Sequence, residues 1–171
     1  MPRLFSAKVI LYFLFLFVLD ATVLPVFHIR NVYPSFLCLL ICYSGFEWGP
    51  QRTIYVAFWA GLLRDFLGGG FLGLEASLYL MLALALNFVL QKIEREFPGM
   101  YFLITFLFIF IAGALRLLCA CTEELPAPMV LDYLGLIALT ATYSAALLPL
   151  FYFMTDRWMG QSHTKQYELF R

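Results

Sequence analysis

Charge is scarce in this sequence: 13% of its 171 residues are charged, where soluble domains carry about 25%. Eleven Lys and Arg against eleven Asp and Glu leave no net charge. That removes the basic surplus with which nucleic-acid-binding proteins neutralise phosphates, so no nucleic-acid partner is expected. Histidine is nearly absent. His28 and His163 are expected on opposite sides of a membrane, where they cannot share a site. No Ser-His-acid set, H-E-x-x-H or phosphate-cradling glycine loop occurs. The four cysteines, Cys38, Cys42, Cys119 and Cys121, lie scattered in apolar surroundings, and no histidine or acid joins Cys38 and Cys42. Neither a disulfide scaffold nor a zinc site is indicated. Cys38 and Cys42 share a helix face as small core residues. No internal repeat or low-complexity tract is present. The sequence predicts no enzyme, no metal and no cofactor.

What remains is apolar. Hydrophobic residues make up 63% and aromatics 19%, with a mean hydropathy of +0.87. A membrane-spanning helix needs about 20 predominantly apolar residues. Cutting the chain where charge, proline and glycine interrupt the apolar runs predicts an all-α integral membrane protein with six spans. They cover residues 9–27, 32–48, 53–67, 71–90, 100–121 and 129–155, in one transmembrane domain with a short polar tail at 160–171. Arg3 and Lys8 before the first apolar run imitate a secretory signal, but the run continues through Asp20 and Pro25 without an Ala-x-Ala site, which predicts an anchor. With the N-terminus inside, eight Lys and Arg fall in cytoplasmic segments and Arg30 alone in an outer loop. This asymmetry predicts cytoplasmic termini.

Six ionisable residues stand out within the expected spans: Asp20, Arg64, Asp65, Glu75, Arg116 and Asp132. Such residues are costly in lipid and are candidates for function. At a rise of about 1.5 Å per residue, all six are expected in the outer half of the membrane. They read either as structural pairs at the outer interface or as a polar cavity or docking surface opening outward. Four acids exceed what two arginines can pair. Arg64 and Asp65 are neighbours and cannot face each other on a helix, which points to Arg116 as the partner of Asp65.

The third span carries Thr53, Ala57, Gly61 and Asp65 at intervals of four, one stripe down a helix. Small residues at this spacing allow another helix close approach. The stripe suits docking of a partner helix or packing within the bundle. Gly68-Gly69-Gly70 allows a tight return, and Gly73 with Ser77 continues the small-residue spacing. In the sixth span, Ala138, Thr142 and Ala146 on one face and Ala141, Ala145 and Pro149 on a neighbouring one read as internal packing.

Three features carry a family resemblance: Tyr33-Pro34 opening the second span, Gly61-Leu62-Leu63-Arg64-Asp65 in the third, and Leu72-Gly73 opening the fourth. With six spans and this length, the chain resembles the bacterial rod-shape-determining MreD family. That family shows a proline at the start of its second span, a Gly-x-x-x-Asp in its third and a Leu-Gly soon after. The motifs cover about residues 33–85, and Arg64 and the triple glycine are departures of this chain. The resemblance implies a non-enzymatic subunit of the cell-elongation machinery in the bacterial inner membrane. It would work beside the bitopic protein MreC, the actin-like MreB and the synthases of lateral peptidoglycan. The family is also similar to the substrate-binding membrane subunits of energy-coupling-factor transporters, six-helix proteins with an outward pocket. That likeness implies an alternative, a vitamin-like small-molecule binding subunit. The residues expected to form a partner-binding surface or polar cavity are Asp20, Gly61, Arg64, Asp65, Gly73, Glu75, Arg116 and Asp132.

Overall fold

Proline and glycine place the helix boundaries. Gly49 takes a left-handed φ of 84°, and Pro50 then occupies the first helical position, where its missing N–H costs no hydrogen bond. Pro98 likewise opens a helix, while Pro128 and Pro149 stand second in theirs. The computed structural model describes residues 7–22, 34–68, 73–92, 98–120 and 127–159. These residues form seven helices and no strand. They are α1 (Ala7–Thr22), α2 (Phe36–Glu47), α3 (Pro50–Gly68), α4 (Leu74–Lys92), α5 (Pro98–Ala120), α6 (Ala127–Ala146) and α7 (Leu148–Met159). The expected tail at 160–171, most of the connections, and Tyr33, Leu72, Cys121 and His163 lie outside the described residues.

Among the described residues two helices are long and apolar enough to cross a membrane, α4 over Leu74–Lys92 and α5 over Gly99–Cys119. The expected sixth span is not one continuous helix. It divides into α6 and α7, bent by 45°, and the pair together has the length and composition of one further span. Pro149 explains the break: it cannot donate to the Ala145 carbonyl, and its ring crowds that oxygen. The Leu147 N–H is shared between the carbonyls of Tyr143 at 3.2 Å and Ser144 at 3.1 Å, and α7 begins with Phe151 bonding back to Leu147 at 2.9 Å. α1 and α2 are apolar but shorter, while α3 matches the 19 residues of α4 yet carries Gln51, Arg52, Arg64 and Asp65.

The bundle is built around α2. Every residue from Leu37 to Phe46 is buried, so this helix is enclosed on all sides by the others. Large apolar side chains instead cover the outside, among them Phe15 on α1, Trp59 and Phe66 on α3, Phe88 on α4, and Phe153 on α7. That is the surface a helix bundle presents to lipid tails. The start of α1 and the end of α7 meet at one end of the bundle, where the Tyr12 hydroxyl and Thr155 Oγ1 are 2.7 Å apart. Tyr43 at the end of α2 donates to Asp156 at 2.7 Å beside them.

The closest approach is between α3 and α4. A Cβ built on Gly61 would lie against the Ala76 Cα, 2.7 Å from the Ala76 nitrogen and 2.7 Å from the Glu75 oxygen. These are backbone atoms of another helix, and they cannot yield as a side chain can. Thr53, Ala57 and Asp65 on the same stripe are buried as well. The stripe is therefore an internal seam and not an exposed docking face. Gly61→Ala should lower the thermal unfolding midpoint in detergent, by the equivalent of about 1–3 kcal/mol of overpacking. Gly135→Ala on α6, where a Cβ meets nothing within 4 Å, should leave it unchanged or higher. Equal behaviour of the two variants would contradict the α3–α4 contact.

Candidate functional site

The first turn of α4 has N–H groups with no partner inside the helix. Asp65, near the end of α3, supplies one. Its Oδ2 accepts from the Gly73 N–H at 2.9 Å and the Ala76 N–H at 3.1 Å, and its Oδ1 accepts from the Glu75 N–H at 2.9 Å. Gly73 adopts a left-handed φ of 98°, which lets the chain turn its amides toward the carboxylate. A negative group at a helix N-terminus is further favoured by the helix dipole. Asp65 is thus a cap donated by the preceding helix, and only 5% of it is exposed. It does not pair with Arg116, contrary to the sequence expectation. The surplus of acids over arginines is resolved in part because three amides take the place of a cation.

This cap sets the position of Glu75 and, one turn on, of Tyr79. The Tyr79 hydroxyl lies at the centre of a polar cluster assembled from five helices. Arg64 of α3 donates to it at 3.3 Å, Arg116 of α5 donates to it through Nη2, and the Cys38 thiol of α2 donates at 3.4 Å. Arg64 also donates to Ser35 at 3.4 Å and lies 3.9 Å from the Asp20 carboxylate of α1. Asp20 accepts from the Phe36 N–H at 3.1 Å, which ties the first turn of α2 to α1. Arg116 Nε is 2.7 Å from Glu75 Oε1, and its guanidinium stands 5.3 Å from the centre of the Tyr79 ring. The four charged side chains are only 15–27% exposed. Two carboxylates and two guanidinium groups balance, as buried charge requires.

Of the eight residues expected to form the site, Asp20, Arg64, Glu75 and Arg116 come together here. Asp65, Gly61 and Gly73 support the cluster from the α3–α4 hairpin without entering it. Asp132 is elsewhere, exposed on α6. Tyr79 was not among the expected residues, although it is fully buried at the centre. Its signal in the sequence was a hydroxyl one turn beyond Glu75, on the same helix face. Ser35 escaped notice too; its N–H donates to Ser144 Oγ at 3.2 Å and joins α6 to the same end. Among the described residues no group of three His, Cys, Asp or Glu side chains is placed to hold a metal ion. The cluster can lock helices together, and its partly exposed arginines can meet polar groups at that end of the bundle.

A family model described as rod shape-determining protein MreD matches residues 3–157. No curated protein and no solved structure matches the chain.

Two substitution sets test this arrangement. Asp65→Asn turns an amide NH2 toward amides that need an acceptor, and each buried donor left unsatisfied costs about 1–3 kcal/mol. Adding Arg116→Gln should not relieve that loss, since Asp65 and Arg116 do not touch. Glu75→Gln and Arg116→Gln should instead couple by about 0.5–3 kcal/mol in a double-mutant cycle. Additive losses for the second pair, or rescue in the first, would refute the assignment.

Proposed function

The chain belongs to the MreD family of rod shape-determining membrane proteins, and on that premise we propose that it is a non-enzymatic scaffold subunit of the cell-elongation complex in the bacterial inner membrane. It binds the bitopic, MreC-like protein of that complex and holds the partner's extracytoplasmic domain near the enzymes of lateral peptidoglycan synthesis, with MreB on the cytoplasmic side. The observation that carries this reading is the family match over residues 3–157. A polar cluster whose charges pair with one another supports it, because a bundle locked from within is a firm platform for other membrane helices.

In this reading the chain crosses the bilayer six times, with α1 to α5 as one crossing each and the bent α6–α7 pair as the last. Contact between the start of α1 and the end of α7 supports an even number of crossings. The excess of Lys and Arg in the second and fourth connections and the termini supports cytoplasmic termini. Pairing of Arg64 with Asp20 and capping by Asp65 lower the cost of placing α3 in lipid.

Topology is checked with an impermeant thiol reagent on intact cells, in a background of Cys119→Ser and Cys121→Ser. Cys38 and Cys42 are buried. His163→Cys and Arg95→Cys should be shielded and Glu124→Cys labelled; labelling at 163 from outside would exclude an even count. Depletion of the protein should convert rods to rounded cells, and the bitopic partner should copurify with the tagged chain. Rods that persist after complete loss of the protein would overturn the functional reading. A small molecule retained through purification would favour a transporter subunit instead.

A further inference from the structure

Outside the charged cluster, three buried polar atoms have no partner at hydrogen-bonding geometry among the described residues. They are Thr105 Oγ1 on α5, Tyr152 Oη on α7 and Trp48 Nε1 at the end of α2. All three belong to the half of the bundle opposite the Tyr79 cluster. Tyr152 and Trp48 pack edge-on against the same ring, that of Tyr43, with centres 4.8 and 5.7 Å away. One turn before Thr105, on the same face of α5, Tyr101 packs edge-on against Phe46 of α2 at 4.7 Å. Thr105 itself lies against the Cys42 thiol, a weak hydrogen-bonding group. Cys42 is also a neighbour of the Tyr152 hydroxyl. A fully buried thiol of α2 thus stands between hydroxyls contributed by α5 and α7.

Thr105 and Tyr152 depart from what their residue types do elsewhere in this protein. Every other described threonine, from Thr22 to Thr155, donates its hydroxyl to the carbonyl four residues earlier in its own helix. Thr105 does not, although its side chain is completely buried. The buried tyrosines Tyr12, Tyr43 and Tyr79 each bond through the hydroxyl, whereas that of Tyr152 is shielded from solvent and unpartnered. Folded proteins leave few such atoms unpaired. Where several converge, ordered internal water is the usual partner.

We propose that the wedge between α2, α5 and α7 is an internal hydration site, in which ordered water bonds Thr105 Oγ1, Tyr152 Oη and Trp48 Nε1 beside the Cys42 thiol. The donor set selects this occupant. An indole N–H only donates, and a hydroxyl both donates and accepts, so the occupant must do both. Water does so and is small enough for a packed interior. The two halves of the bundle are therefore joined differently. Around Tyr79 the helices bond to one another directly, while α7, which follows the bend at Leu147, is joined to α2 and α5 partly through water.

The experiment uses the purified full chain in lipid nanodiscs. Brief X-ray radiolysis turns bound water into hydroxyl radicals that oxidise the nearest side chains. Cys42 and Cys38 are matched reporters, buried one turn apart on the same face of α2. Cys42 should oxidise several-fold faster than Cys38, whose thiol is engaged by Tyr79. This comparison needs no variant to fold. Tyr152→Phe and Thr105→Val then remove the hydroxyls with little change in size. Each should lower the thermal unfolding midpoint and slow Cys42 oxidation, and the double variant should lose less than the sum, because the two hydroxyls share water. In a dry wedge the signs reverse. Removing an unpartnered buried hydroxyl then raises the midpoint, and Cys42 oxidises no faster than Cys38. Either of these results would overturn the site.

Discussion

Three backbone amides at the start of α4 meet one carboxylate at the end of α3, and much of the structure depends on that contact. Asp65 replaces the hydrogen-bond partners that water would supply to a helix end in solution. The replacement is needed because lipid offers no such partner. By capping α4 with a residue of α3, the chain also fixes how the two helices lie together. Their backbones then touch at Gly61 and Ala76, and a side chain at 61 larger than hydrogen has no room. Glu75 and Tyr79 project from the face of α4 that this contact defines, so the arginines of α3 and α5 find their partners only because the hairpin is set first.

The two ends of the bundle are chemically distinct. At one, Asp20, Arg64, Glu75, Arg116 and Tyr79 join five helices through hydrogen bonds and ion pairs. At the other, aromatic rings do the same work: Tyr43 packs edge-on against Trp48 and Tyr152, and Phe46 against Tyr101. Rings that combine an apolar body with a polar edge suit the boundary between lipid and water. α2 runs between these ends with no face left for lipid. Such a helix gains its place from packing and from the Asp20 bond to its first turn.

An internally balanced cluster also reassigns function among the polar residues. A charge that already has its counterion inside the bundle holds helices together, whereas a charge exposed on an outer face is available to another protein. Asp20, Arg64, Glu75 and Arg116 belong to the first kind. Asp132 stands apart from them, exposed on α6 beside Tyr133, Leu139 and Tyr143, and of the positions expected to pack internally there Ala141 and Ala145 are buried while Thr142, Ala146 and Pro149 are exposed.

Composition and interruption by proline and glycine determined the all-helical, lipid-facing character of this chain and the position of most helix ends. These are local properties: Pro50, Pro98 and Gly73 act on their own φ angles and hydrogen bonds wherever the helices go. The gathering of charged residues toward one end was legible for the same reason, since depth along a helix follows from residue count alone. The bend between α6 and α7 was within reach too, as Pro149 stands in the sequence. Partner choice was not. Asp65 was expected to meet Arg116 because a buried acid needs a positive group, but a helix N-terminus supplies one without any basic residue to mark it. Tyr79 went unnoticed because a tyrosine in an apolar helix has the same sequence signature whether its hydroxyl faces lipid boundary, solvent or two arginines. Which face of α3 is internal and which face of α6 is open depended on the rotation of each helix about its own axis. In a chain where lipid-facing and buried positions are equally apolar, only the tertiary packing decides that rotation.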